Sequence, residues 1–145
     1  MTATSRILCA AAALAIAGCA TIPTSATYRG QKVGTINAVT MSCSSPFALT
    51  QNCSTSGPNL KVRAGKLIVR VAGSADGRIV VIMTEEPIPS QAHSEEAVDA
   101  VSPLVAPTGA HIIKMDALVL IGGTVAGYMI QFDRDVYSVL KGYAV

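Results

Sequence analysis

The segment HIIKMDALVLIGGTVAGYMIQF, residues 111–132, decides the fold. His111, Ile113, Met115, Ala117, Val119 and Ile121 share one face of an extended strand. Ile112, Lys114, Asp116, Leu118 and Leu120 share the other. Gly122-Gly123 permits the positive φ angles of a tight hairpin turn. Thr124 to Phe132 returns, with Tyr128, Ile130 and Phe132 on one face. Asp133-Arg134-Asp135 turns again, and Val136 to Leu140 reads as a last strand. Three strands joined by short turns form an antiparallel meander.

The pattern continues upstream. Leu60 to Ala72 reads as one strand whose end alternates: Leu67, Val69 and Val71 face one way, Lys66, Ile68 and Arg70 the other. Gly73 to Gly77 is a turn and Arg78 to Thr84 a β-branched return strand. Pro87 and Pro89 stop regular structure there. Ser94 to Val101 reads as one short helix, capped by Ser94 and carrying Glu95 and Glu96 in its first turn; Pro103 and Pro107 keep it from running on. Val33 to Met41 is a possible first strand, followed by a polar, turn-prone stretch from Ser42 to Asn59. The fold class expected is mainly β: a small antiparallel sandwich or barrel with one short helix. Several strands are apolar on both faces near their centres, which points to burial between layers or to dimerisation. The oligomeric state is left open.

The N-terminus carries a different signal. Arg6 precedes an apolar run, Ile7 to Ala17, that matches the core of a secretory signal and falls short of the about 20 residues a membrane span needs. The run closes as Leu14-Ala15-Ile16-Ala17-Gly18-Cys19, which resembles the lipobox of bacterial lipoproteins. The resemblance implies cleavage before Cys19 and acylation of Cys19. Ala20, where the inner-membrane sorting pattern has Asp, implies the outer membrane with the domain on the periplasmic face. Multiple acyl chains on one residue hold durably. The domains expected are therefore a signal peptide, 1–18, a lipidated tether, 19–34, and a single β-rich periplasmic domain, 35–145. About 15 residues of tether reach roughly 50 Å when extended.

Composition narrows the partners. Loss of Arg6 with the signal leaves 10 basic against 9 acidic residues. A near-neutral chain argues against nucleic acid, which requires a basic excess. Trp is absent, so stacking platforms are sparse. With Cys9 removed and Cys19 acylated, Cys43 and Cys53 remain as an isolated pair, and an exported setting makes a disulfide the default. Metal binding by these two with His93 and His111 fits no common zinc spacing.

No catalytic constellation stands out. Ser102, His111 and Asp116 could be imagined as a triad, but no GxSxG elbow is present and Asp116 falls on the opposite strand face from His111. Glu85-Glu86 and Glu95-Glu96 read as solvated charges, and Gly122-Gly123 with Gly127 as a turn and not a phosphate loop. Asn52-Cys53-Ser54 fits the glycosylation pattern, but the lipobox implies bacteria. Two hints remain. One is a rigid loop between the paired cysteines. The other is a basic patch with an apolar centre, formed by Lys61, Arg63, Lys66, Ile68 and Arg70. The expectation is a non-catalytic lipoprotein without cofactor or metal, attached to the membrane through its lipid and binding another periplasmic or outer-membrane protein. The alternatives are an enzyme inhibitor, which resembles lipoprotein lysozyme inhibitors in size, anchor and disulfide use but lacks their tryptophan-containing motif, and a small hydrolase.

Overall fold

A computed structural model describes residues 25–37, 60–120 and 122–145. Seven strands form one sheet: β1 (Ala26–Tyr28), β2 (Gln31–Asn37), β3 (Leu60–Ala64), β4 (Leu67–Gly73), β5 (Ile79–Thr84), β6 (Ile112–Val119) and β7 (Val125–Phe132). Their order across the sheet is β1-β2-β6-β7-β5-β4-β3. Among the described residues two helices accompany them, α1 (Gln91–Val105) and α2 (Tyr137–Lys141), with a 3-10 turn at Ala106–Thr108. The mainly β class is as expected. The layering differs from a sandwich or barrel: the described strands make a single open sheet with α1 laid across β5 and β7 on one face. The sheet is also mixed, because β2 pairs with β6 in parallel.

The centre is a split β-α-β unit. β7 is antiparallel to both β5 and β6, so those two run parallel, with α1 as the crossover between them. The main core lies beneath that helix. Val62, Val69, Val71, Val80, Ile82, Ala117, Tyr128 and Ile130 from the sheet meet Ala97, Val98, Val101 and Val105 from α1. A smaller cluster, Ala72, Val81 and Leu118, lies on the opposite face, which explains why central strands are apolar on both sides.

Several boundaries differ from the sequence reading, each for a local reason. The expected strand Leu60–Ala72 is a hairpin, since Gly65 at φ 62° makes a two-residue turn with Lys66 that sets Ala64 opposite Leu67. The helix starts earlier than Ser94. Ser90 is extended and its side chain accepts the His93 N–H at 3.1 Å, while Ser94 is buried with its Oγ at 2.8 Å from Ser90 O and 3.1 Å from Val125 O. Pro103 lies inside the last turn, where its fixed φ is helical and only one hydrogen bond is forgone.

Val136–Leu140, expected as a strand, contains most of α2 instead. Asp135 accepts from the Ser138 backbone N–H at 3.1 Å and from its hydroxyl at 2.6 Å, an arrangement that starts a helix. Residues 26–34, assigned above to the tether, hold β1 and the start of β2. In β6, a bulge at Ile113 shifts the alternation by one residue, which puts Ile112 rather than Ile113 on the α1 side with Met115. Residues 38–41 of the expected first strand, together with Cys19, Cys43 and Cys53, lie outside the described residues.

Candidate functional site

Two surfaces are built well enough to do something. The first is the β3–β4 hairpin at one edge of the sheet. Strand register sets Lys61 opposite Arg70 and Arg63 opposite Ile68, so these four side chains share the face away from α1. Lys66 occupies the turn. The sequence reading placed all five on one strand; the hairpin brings them together across two. Glu85, just past β5, enters the same group: its carboxylate oxygens lie 3.5 Å from Lys61 Nζ and 3.5 Å from Arg70 Nε. Arg63 and Lys66 make no ion pair among the described residues. Two of the four cations thus share one carboxylate, and the patch stays net positive, with Arg63 and Lys66 as its open cations. The outer edge of β3 is occupied by the chain's own end: Arg63 N donates to Tyr143 O at 3.0 Å and Val145 N to Lys61 O at 2.9 Å. That pairing removes the row of unmatched backbone groups that makes an edge strand adhesive.

The second surface lies between α1 and the sheet, beside β1. A half-open cavity of about 230 Å³ is floored by Ile82, Ile130 and Phe132 and roofed by Val98, Val101 and Val105. The three valines follow helical i, i+3, i+7 spacing, so they share one stripe of α1. Ser102, Ala106 and Ile112 stand at its rim, and Tyr28 closes one side. Its polar groups are already engaged: Ser102 Oγ donates to Val98 O at 3.0 Å, and the Tyr28 hydroxyl donates to Asp99.

A polar latch holds β1 over α1 and so fixes that wall. Arg29 and Gly30 have φ of 50° and 82°, the pair of left-handed residues a tight two-residue hairpin requires. The turn aims Arg29 at the helix. Its backbone N–H donates to Glu95 at 2.7 Å and its guanidinium to Asp99. Gln91 Nε2 donates to Thr27 O at 3.1 Å, and the Tyr128 hydroxyl donates to the same oxygen at 2.7 Å. The Tyr28 and Tyr128 rings meet edge-on at 5.3 Å. Burial raises the Asp99 carboxyl, but the hydrogen bonds from Tyr28 and Arg29 outweigh it and hold the group below the usual carboxylate range. Tyr28 is pushed up by burial and by its bond to Asp99, and Tyr128 is pushed up to about 12 by burial and the nearby Glu95. The sequence reading missed this latch. Its available signal was the Arg29-Gly30 pair between Thr27-Tyr28 and Gln31-Lys32.

The residues weighed as a triad are scattered. Ser102 is at the cavity rim and His111 pairs with Asp133, Nδ1 to Oδ2 at 3.3 Å. Asp133 also accepts the His111 backbone N–H, which with its neighbouring donors draws its carboxyl down to about 2. Asp116 is buried on the other face of the sheet, against Gly34, where any Cβ would overlap its Oδ1. Among the described residues no group of His, Cys, Asp and Glu is arranged to hold a metal ion, and no helix is long and apolar enough to cross a membrane. No protein-family profile, curated protein or solved structure matches the chain.

Proposed function

We propose that this chain is an outer-membrane lipoprotein, acylated at Cys19, whose β-rich domain binds another envelope protein on the periplasmic side as a non-catalytic assembly or accessory factor. The lipobox-like run Leu14–Cys19 supports the anchor. A Cys43–Cys53 disulfide belongs to the same reading, since an exported chain meets an oxidising compartment. The observation that carries the binding reading is the clustering of Lys61, Arg63, Ile68 and Arg70 on one face of the β3–β4 hairpin, with Lys66 at its tip. Charges around an apolar centre steer encounter and select partners, while the apolar centre adds affinity.

The anchor is tested by metabolic labelling with a clickable palmitate. Cys19→Ala abolishes the label and blocks processing; a labelled Cys19→Ala protein refutes the anchor. A non-reducing peptide map of protein from the envelope shows Cys43 linked to Cys53, and free thiols at both positions refute the bridge. A photoreactive residue at Arg63 captures a discrete envelope protein in cells. Equal yields of that adduct from a photoreactive residue at exposed Ser138 on the helix side would remove the hairpin as the interface.

A further inference from the structure

The cavity beneath α1 is the part of the molecule that the protein-binding reading leaves unused. Its floor and roof are aliphatic and aromatic, with Ile82, Ile130 and Val101 each at most 2% exposed. The polar atoms within reach, Ser102 Oγ and the Tyr28 hydroxyl, already donate to Val98 O and Asp99. A ligand there meets no spare hydroxyl proton and a lining that is mostly apolar, so the site disfavours anionic groups and favours apolar ones. Its size is also informative. An apolar protein cavity of about 150 Å³ takes benzene. By the same ratio this cavity of about 230 Å³ takes roughly nine carbons. The rim also presents an apolar side chain to solvent: Ile112 is 54% exposed.

The position of the cavity says which apolar ligand it meets. Tyr28 of β1 forms one wall, and β1 begins at Ala26, seven residues after Cys19. Seven residues reach at most about 25 Å. An acylated Cys19 would thus hold this end of the sheet close to the bilayer surface; this step rests on the lipoprotein reading proposed above. We infer that the cavity binds the terminal part of an aliphatic acyl chain, of roughly nine carbons. The chain comes either from the lipid on Cys19 or from a separate lipid. The latch of Arg29 and Tyr28 on Asp99 holds the wall on the anchor side in place.

Photolabelling tests the inference in two arms. In the first, the full chain carrying Cys19→Ser is irradiated in solution with decanoic acid bearing a terminal diazirine. In the second, the acylated protein is irradiated in vesicles of phosphatidylethanolamine and phosphatidylglycerol that contain a phospholipid with the same diazirine chain. Adducts are expected on the peptides holding Val98–Ala106 and Ile112–Met115 in the solution arm, whether or not Cys19 is an anchor. Vesicle adducts on those peptides identify a separate lipid as the source. Vesicle protection of peptides that label in solution identifies the chain on Cys19. Ala106→Trp and Ser102→Phe, both at exposed rim positions, each lower the adduct yield about tenfold, as expected when two or so methylenes are kept in water. Lys66→Glu, on the far hairpin, leaves it unchanged. The absence of adducts on these peptides in the solution arm overturns the inference, and that is the result if the cavity instead receives a side chain of a bound protein. Adducts undiminished by both rim variants overturn it too.

Discussion

Tyr128 shows how much one side chain carries. It is fully buried in the core, stacks edge-on against Tyr28, and donates its hydroxyl to Thr27 O, so a central strand, an edge strand and the latch meet on one residue. Tyr128→Phe removes only the hydroxyl. Thr27 O keeps its bond from Gln91, so no acceptor is stranded and the loss stays near about 1 kcal/mol, read from urea unfolding at neutral pH. The same residue sets an alkaline limit. Its pKa is about 12 in the folded protein, against an ordinary value of 10. A raised folded pKa favours the neutral phenol, so its stabilising effect is complete below pH 10 and is lost as pH rises from 10 through about 12. Tyr28 is shifted in the same direction. Stability is therefore expected to fall over that window, together with the rise of tyrosinate absorbance, and to fall less steeply in Tyr128→Phe. Identical slopes for the two proteins would mean that the phenol is not linked to folding. None of this was legible in the sequence, where Tyr128 is one apolar residue of an alternating strand and its partner Tyr28 lies inside a presumed tether.

Elements were legible where a single physical signal dominated. The β6–β7 hairpin followed from alternation plus Gly122-Gly123, whose φ of 94° and 91° only glycine adopts readily. The β4–β5 hairpin followed from the Ser74-Ala75-Asp76 turn, where Asp76 accepts from Ser74 Oγ at 2.7 Å. Where two signals competed, the reading slipped. Gly65 stands within a strand-like run of alternating apolar and basic residues that gives no other sign of a turn, and the acidic Glu95-Glu96 pair suits a helix start at Ser94. Ser90 is the better cap because its extended backbone frees its oxygen for the His93 N–H, whereas Ser94 is buried a turn further in. Ser90→Ala is expected to cost about 1 kcal/mol, while the exposed Ser102→Ala, one turn from the other end, changes stability by less than about 0.5 kcal/mol. Thermal unfolding of the two proteins separates the assignments. If Ser90→Ala were neutral, the helix would have to draw its start from elsewhere.

At the scale of the whole molecule, the sheet gives each candidate site its own side. α1 seals the face that holds the main core and the cavity, and the basic hairpin projects from the other face at the far edge from β1. The mainly β class was legible from alternation, but the basic face was not: on one continuous strand Lys61 and Arg63 would oppose Ile68 and Arg70, and only the turn at Gly65 sets those four on one face. The single layer was not legible either, because residues apolar on both faces of a strand are equally satisfied by a second sheet or by a helix on one side. The counter-charge on the patch was also hidden, since Glu85 reaches Lys61 and Arg70 only once β3, β4 and β5 are aligned. That detail decides how the patch is best tested. Reversing Arg70 would set a carboxylate beside Glu85 and strain the hairpin itself. Arg63→Glu with Lys66→Glu instead breaks no ion pair among the described residues, so stability is expected to change by less than about 0.5 kcal/mol. Two reversed surface charges are together worth about 1 kcal/mol in encounter and binding, which is about fivefold in partner capture at low ionic strength. The deficit should shrink at physiological salt, where the screening length is about 8 Å. Capture is read in envelope extract as the yield of a crosslink from a photoreactive residue at Ile68, which shares the face of Arg63 and is present in both proteins, relative to the protein with Arg63 and Lys66 unchanged, with unfolding followed in parallel. Undiminished capture by a folded double variant at both salt concentrations would take the hairpin out of the interface.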